Sequence, residues 1–273
     1  MKQKFTAALK PLLLIFFCCT TMVIHAQQKN TPDLDSRITA LSNKAKAGNL
    51  TKKEGKEFRD IGYQVQNNGF ALDERSHDYS NALSYINKAL NIWELTADTL
   101  NEANSRKYKG YLLGRLGQFP EGKKEIFQAI SLYQQKRKPA GVAVSYFDLS
   151  RVFEFQTQYD SSLYYANQAL AYWKNNVDSS RIFIVRNQLI NIYYRTKKYK
   201  DAEQVVQQNE LMLSQTKLNW QQLIDFYDVT VQFYKKWKKK DQVKKYTALL
   251  EDKVSTLYAE GINARSSFEV AEK

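Results

Sequence analysis

Residues 117–133 read GQFPEGKKEIFQAISLY, and residues 157–173, forty positions on, read TQYDSSLYYANQALAYW. Each stretch has an aromatic in third place and a small residue three positions after it. An alanine follows ten positions after the aromatic, and a large aromatic closes the stretch. These columns extend outward along the chain. Tyr79, Phe119, Tyr159 and Tyr199 lie 40 residues apart, each followed three positions later by Ala82, Gly122, Ser162 or Ala202. Ala89, Ala129 and Ala169 form the next column, and Trp93, Tyr133 and Trp173 the last. A period between about 20 and 50 residues marks a stacked-repeat architecture, whose units are each too small to bury their own apolar face.

Within each period the spacing is that of two helices. A first helix is predicted over 103–116, a turn at Gly117-Gln118, and a second helix to about Tyr133. Pro120 falls in the first turn of that second helix, where its missing N–H costs nothing. The following units pair 143–156 with 160–174, 183–196 with 200–213, and 223–236 with 241–257. The last has Lys240 in the aromatic column, at an interval of 41. A short turn is expected inside each unit and a longer link between units. The small columns allow close approach of the paired helices, and the large aromatics cover the seam to the following repeat. Four prolines, no alternating strand pattern and abundant Ala, Leu, Gln, Glu and Lys predict an all-α chain.

Upstream, Leu34, Ile38 and Leu41 give a short amphipathic helix over 34–47, ended by Gly48. Thr51 with Glu54 forms a capping box for a helix carrying Phe58, Ile61, Tyr63 and Val65. Asn67-Asn68-Gly69 is predicted to break that helix.

Residues 1–26 read as an export signal: Lys2, Lys4 and Lys10, then an apolar run over 11–24, then Ala26 as the cleavage residue. The run is shorter than the ~20 apolar residues that span a bilayer. Periplasm or cell envelope is the expected destination, with no transmembrane segment in the mature chain. The expected organisation is the signal at 1–26, a linker and short helix at 27–50, the repeat array at 51–257, and a capping helix or tail at 258–273. Both cysteines, Cys18 and Cys19, fall in the signal, so the mature chain can form no disulfide and depends on packing.

The formal charge of +13 includes the three signal lysines; without them 38 Lys+Arg face 28 Asp+Glu, a balance of +10. A basic surface favours acidic partners, here an acidic envelope component, and export disfavours nucleic acid. The densest block is KKWKKK at 235–240, read as a solvated turn with Trp237 packed against the final helix. After signal removal His77 is the only histidine. A His/Cys metal site or a Cys–His nucleophile pair cannot then be assembled. No glycine-rich phosphate loop occurs. The expectations are no enzyme, no metal and no cofactor.

At its columns the chain resembles the tetratricopeptide repeat family. Gly110, Gly117, Phe119, Gly122 and Ala129 carry the likeness in one unit, Leu149, Ser150, Tyr159, Ser162 and Ala169 in the next. The third unit keeps Leu189, Tyr193, Tyr199 and Ala202 but has Asn209 where the family has alanine. The family period is about 34 residues, so these units look like an extended type with lengthened second helices and links. The resemblance implies a right-handed superhelical solenoid of four to five antiparallel helix pairs, with a groove lined by the first helices. Carried over, the groove residues are Lys107, Tyr111 and Arg115; Phe147, Arg151, Glu154 and Phe155; Asn187, Asn191, Tyr194 and Arg195; and Asp225, Asp228, Gln232 and Lys235. Asparagines would bond a peptide backbone, arginines its carboxylates and aromatics its apolar side chains. The family's carboxylate clamp is not reproduced, because Tyr111 and Phe147 stand where polar groups are needed. The implied function is a protein- or peptide-binding scaffold or adaptor of the bacterial envelope. The alternatives are the sensory portion of a signal-transduction system and a glycan- or lipid-binding envelope protein.

Overall fold

The computed structural model describes residues 31–76 and 78–271, with side chains for 34–70 and 78–256. Residues 1–26, expected to be an export signal, and His77 lie outside the described residues. The chain forms two compact units, residues 1–138 and 139–273. The first holds α1 (Thr31–Lys46), α2 (Lys52–Ser76), α3 (Tyr79–Leu95), α4 (Thr99–Arg115) and α5 (Phe119–Gln135). The second holds α6 (Pro139–Phe155), α7 (Tyr159–Asn175), α8 (Ser179–Arg195), α9 (Tyr199–Met212), α10 (Trp220–Lys236) and α11 (Lys240–Ala271). No strand occurs among the described residues. In each unit consecutive helices pack as antiparallel pairs, and in the second the first helix α8 also meets the first helices α6 and α10 on either side of it. The fold is an all-α repeat solenoid.

The columns face inward as the period requires. Ala82, Ser162, Ala202, Ala89, Ala129 and Ala169 have no exposed surface, and Trp93 has none either. Gly122 is buried against Gly110 on α4. The core of unit 1 gathers Phe58, Ile61 and Val65 of α2 with Ile92 and Trp93 of α3, and Ile38 and Leu41 of α1 lie against them. In unit 2 a continuous core runs from Ala143 to Tyr246.

The links differ from expectation. Turns within and between units are equally short, and helices begin every 20 residues at Tyr79, Thr99, Phe119, Pro139, Tyr159, Ser179 and Tyr199. The cause is a shared closing geometry. Ala97, Gly117, Arg137, Thr157, Val177 and Lys197 all have φ between 52° and 79°. The residue after each donates its N–H to the carbonyl five positions back, as in Asp98 to Trp93, Gln118 to Leu113 and Asp178 to Trp173. That bond satisfies a helix-end carbonyl and reverses the chain in three residues. The extra length of the repeat therefore lies in both helices, not in the links. The exception is 213–219, where α9 ends early and a longer connection carries the interval to 41.

Only Gly117 of these six positions is a glycine; the rest hold side chains in the left-handed region, at about 1–2 kcal/mol each. Val177 is β-branched there and 81% exposed, so no packing compensates. Val177→Gly is expected to raise stability by about 0.5–1 kcal/mol, the relief of strain less the entropy glycine costs. A shift of the urea midpoint upward checks it; an unchanged or lower midpoint counts against it.

Asn67-Asn68-Gly69 does not end a helix, contrary to expectation: α2 runs through it to Ser76. Gly69 is a contact glycine, since a Cβ there would lie 2.9 Å from Ile86 Cδ1 and 3.1 Å from the Ala82 carbonyl oxygen. The start of α2 is as expected. Thr51 Oγ1 accepts from the Glu54 N–H at 3.2 Å, and Thr51 N donates to Glu54 Oε2 at 3.0 Å. Hydrogen bonds from Lys44 and from Thr51 hold the Glu54 carboxyl at a pKa of about 2. The expected final helix is not separate, because α11 is continuous to Ala271.

Candidate protein-binding face

The groove residues drawn from the sequence fall in both units, and each unit positions its own. In unit 1, Tyr111 is 5% exposed and packs its ring on Tyr108, which lies edge-on to Phe70. Tyr111 is therefore a core residue. Arg115, in the last turn of α4, reaches back to Tyr79 at the head of α3. It donates to the phenol oxygen and lies 4.6 Å over the ring. The turn aromatic is thus a platform for an arginine from the next first helix, a role that its column alone does not show. Lys107 lies half-buried on α4.

In unit 2 the first helices bring most of the expected residues together. Arg195 of α8 bridges to Glu154 of α6 at 3.1 Å, and Glu154 is 7% exposed. The same Nε donates to Asn191 Oδ1 at 3.0 Å. Arg195 also stacks beside the Tyr194 ring at 5.7 Å. Arg151 lies 3.9 Å from Asp148 and 5.8 Å from the centre of the Phe147 ring. From α10, Asp225 and Asp228 complete the set. Crowding by the groove walls raises the pKa of Asp225 and the neighbouring Asp228 adds to it, while the Gln221 amide and Arg151 pull it down. The Asp225 side chain still has a water-facing side, so this rise is small in free-energy terms. Burial likewise raises the Tyr194 phenol, with Arg195 opposing and Glu154 and Asp228 assisting.

One expected member does not join this face. Asn187 accepts from Asn209 Nδ2 at 2.9 Å, and Asn209, fully buried in the alanine column, also donates to the Phe183 carbonyl at 3.3 Å. The asparagine that interrupts the column thus draws Asn187 inward. Phe155 is half-buried at the end of α6. Sequence reading missed Asp148, which sits among core positions and is 7% exposed.

The electrostatics also differ from the expectation that arginines receive a peptide's carboxylates. Four carboxylates, Asp148, Glu154, Asp225 and Asp228, meet two guanidiniums, Arg151 and Arg195, and Arg195 is already committed to Glu154. On a strongly basic chain this face is acidic towards α10. Such a surface suits a segment carrying a lysine or arginine beside an apolar or aromatic side chain. Lys235, one of the expected groove residues, is exposed near the end of α10 and begins the lysine block. Trp237 stacks on Tyr199 at 5.8 Å and on Phe233 at 5.6 Å, while Lys239 lies 4.7 Å over its ring. Lys238 takes the left-handed turn there, at φ 62°. Through Tyr234, which stacks on Tyr246, this cluster joins α10 to α11.

Among the described residues no group of histidine, cysteine, aspartate or glutamate side chains could hold a metal ion. No described helix is long and apolar enough to cross a membrane.

Solved structures of similar shape are repeat proteins. BtubC (BKLC) from P. vanneervenii superimposes with a TM-score of 0.60 at 14% identity, covering 82% of this chain and 92% of that one. The nearly identical TPR-like repeats assigned to a P. anserina kinesin light chain give a TM-score of 0.52 at 11% identity, covering 74% of this chain and 95% of theirs. A variant of those same repeats gives 0.54 at 11% identity, over 75% and 96%. This chain has a tetratricopeptide-like repeat fold. No protein-family model matches its sequence, and no curated protein matches it. Identities this low establish the architecture of the tetratricopeptide-like solenoid, and its ligands must be argued from its own residues.

Proposed function

We propose that this chain is a non-catalytic, exported scaffold that binds a protein segment on the first-helix face of unit 2. The observation supporting this reading is the shared surface of Arg151, Asn191, Tyr194, Arg195, Asp225 and Asp228 from three successive first helices. Polar groups from separate repeats converging beside aromatic rings are what an extended peptide requires. The excess of carboxylate assigns the bound segment a basic residue facing Asp225 and Asp228. Export is proposed from the basic, apolar and small-residue sequence at 1–26.

A photo-crosslinking residue at Asn191 in cells is expected to capture a discrete protein adduct, and the same residue at the exposed Lys200 is not. Asp225→Asn with Asp228→Asn should cut the yield about tenfold or more, the cost of losing charge-assisted contacts. Equal adducts from both positions, or a yield indifferent to the two aspartates, would remove this face as the binding surface.

A further inference from the structure

The repeat that contains α4 and α5 and the repeat that contains α8 and α9 start 80 residues apart, at Thr99 and Ser179, and at Phe119 and Tyr199. Position by position, Arg106 and Arg186 are therefore equivalent. Arg106 is saturated with acceptors. Its Nη2 meets Glu94 at 2.6 Å, its Nε meets Glu102 at 2.8 Å, and its Nη1 meets Glu125 at 3.0 Å and Gln128 Oε1 at 3.2 Å. Eighty residues on, those three carboxylates have become Lys174, Ile182 and Val205, and only the glutamine is kept, as Gln208. Three acids around one base have been replaced by a second base and two hydrocarbons.

Arg186 has not adjusted by turning out into water. It points towards α9, where Nη1 meets the Met212 thioether sulfur at 2.8 Å, and its buried Nε has no hydrogen-bond partner. Burial pushes its pKa down, with no carboxylate to restore it. A thioether is a weak acceptor and supplies no charge. A desolvated guanidinium without a counter-ion is costly, and a buried polar group left unsatisfied in a native fold calls for an explanation, a bound ion being one. The residue as a whole is half-buried while its Nε is covered, so a small group reaches that nitrogen only as its cover moves aside. The intervening repeat shows that the place can be filled without charge, since Tyr146 and Tyr165 pack there with ring centres 5.7 Å apart.

We infer that Arg186 is the receiving group of an anion site between α8 and α9, which takes a small oxyanion, a carboxylate or a phosphate, in the place that Glu125 fills in the earlier repeat. The ligand's two oxygens would engage Nε and a terminal nitrogen, the forked pattern guanidinium favours. This site is separate from the peptide face and does not depend on it.

The test is thermal unfolding of the full chain in sodium phosphate, sodium acetate and sodium chloride at matched ionic strength. Three proteins are compared: the natural chain, Arg186→Met and Val205→Glu. Phosphate or acetate is expected to raise the midpoint of the natural chain over chloride, saturably, as a bound ligand must. Arg186→Met removes the cation and Val205→Glu supplies an internal carboxylate; each should abolish at least half of that rise. Val205→Glu should also start from a midpoint no lower than the natural chain's in chloride. A response to only one anion keeps the site and names its ligand. Identical anion responses in all three proteins, or none in the natural chain, overturn the inference. An independent readout is the ¹⁵N resonance of Arg186 Nε, which should shift with the effective anion and remain fixed in Val205→Glu.

Discussion

Trp93→Ala is expected to cost unit 1 about 3–5 kcal/mol, the range for deleting a buried large aromatic. The indole has no exposed surface and closes the column that Tyr133 and Trp173 continue. The site cannot collapse around the loss. A Cβ on Gly62 would stand 2.5 Å from the indole ring, so the backbone of α2 is already seated against it, and glycine has no side chain to move into the cavity. Polar consequences add to the cavity. The indole Nε1 donates to Gln66 Oε1 at 3.0 Å, and the same oxygen accepts from Ser105 Oγ at 3.0 Å. One buried amide thereby ties α2, α3 and α4 together, and removing the indole leaves it half-satisfied. Trp93→Phe keeps most of the volume but loses the donor, and should cost about 1–3 kcal/mol. Urea unfolding followed by near-ultraviolet circular dichroism separates the two. Equal losses for the two variants would mean that the hydrogen bond, not the packed volume, dominates.

What was legible in the chain follows from which constraints act locally in sequence. The 40-residue columns were legible because helix approach forces small residues at Ala82, Gly122, Ser162 and Ala202, whatever else changes. The 20-residue half period was not, because the left-handed turn residues Ala97, Arg137, Thr157, Val177 and Lys197 carry no glycine signal. Their backbone is imposed by the closing hydrogen bond and the packing of the next helix, which outweigh local preference. The same override carries α2 through Asn67-Asn68-Gly69. There, glycine reads as a break in isolation but is needed for contact with Ala82 and Ile86. At the candidate face, residue types and helix positions were readable, but pairings were not. Nothing in the sequence near Arg195 says that Glu154, 41 positions earlier, will occupy it, or that Asn209 will turn Asn187 inward. Those facts belong to the distances between helices. The isolation of Arg186 is intermediate: it becomes readable once the period is used to lay Arg106 and its three glutamates alongside it.

Gly110→Ala should be the most damaging glycine-to-alanine change among the described residues. A Cβ at Gly110 would lie 2.4 Å from the Gly122 carbonyl oxygen and 2.4 Å from Ile126 Cγ1; one at Gly122 would lie 2.7 Å from the Gly110 oxygen. The two glycines face each other across α4 and α5, each filling the space the other's side chain would need. Ordinary overpacking costs about 1–3 kcal/mol because flexible side chains yield. Here the Gly122 carbonyl, which is backbone, stands as close as the Ile126 side chain, so α4 and α5 must move apart, and the expected loss is at the upper end, about 3 kcal/mol. Against this, alanine in mid-helix would by itself be favoured over glycine by about 1 kcal/mol. The sign of the change in urea midpoint therefore decides between the two effects. Ser150 and Ser162, at the same two places one repeat later, show the alternative solution. Their hydroxyls lie 3.2 Å apart and Ser162 Oγ donates to the Ser150 carbonyl at 2.8 Å, so that helix pair accommodates side chains by joining them. Gly110→Ser with Gly122→Ser should therefore lose less than twice the single-alanine cost. A Gly110→Ala protein as stable as the natural chain would mean that these helices can separate freely, and that the small column does not set their spacing.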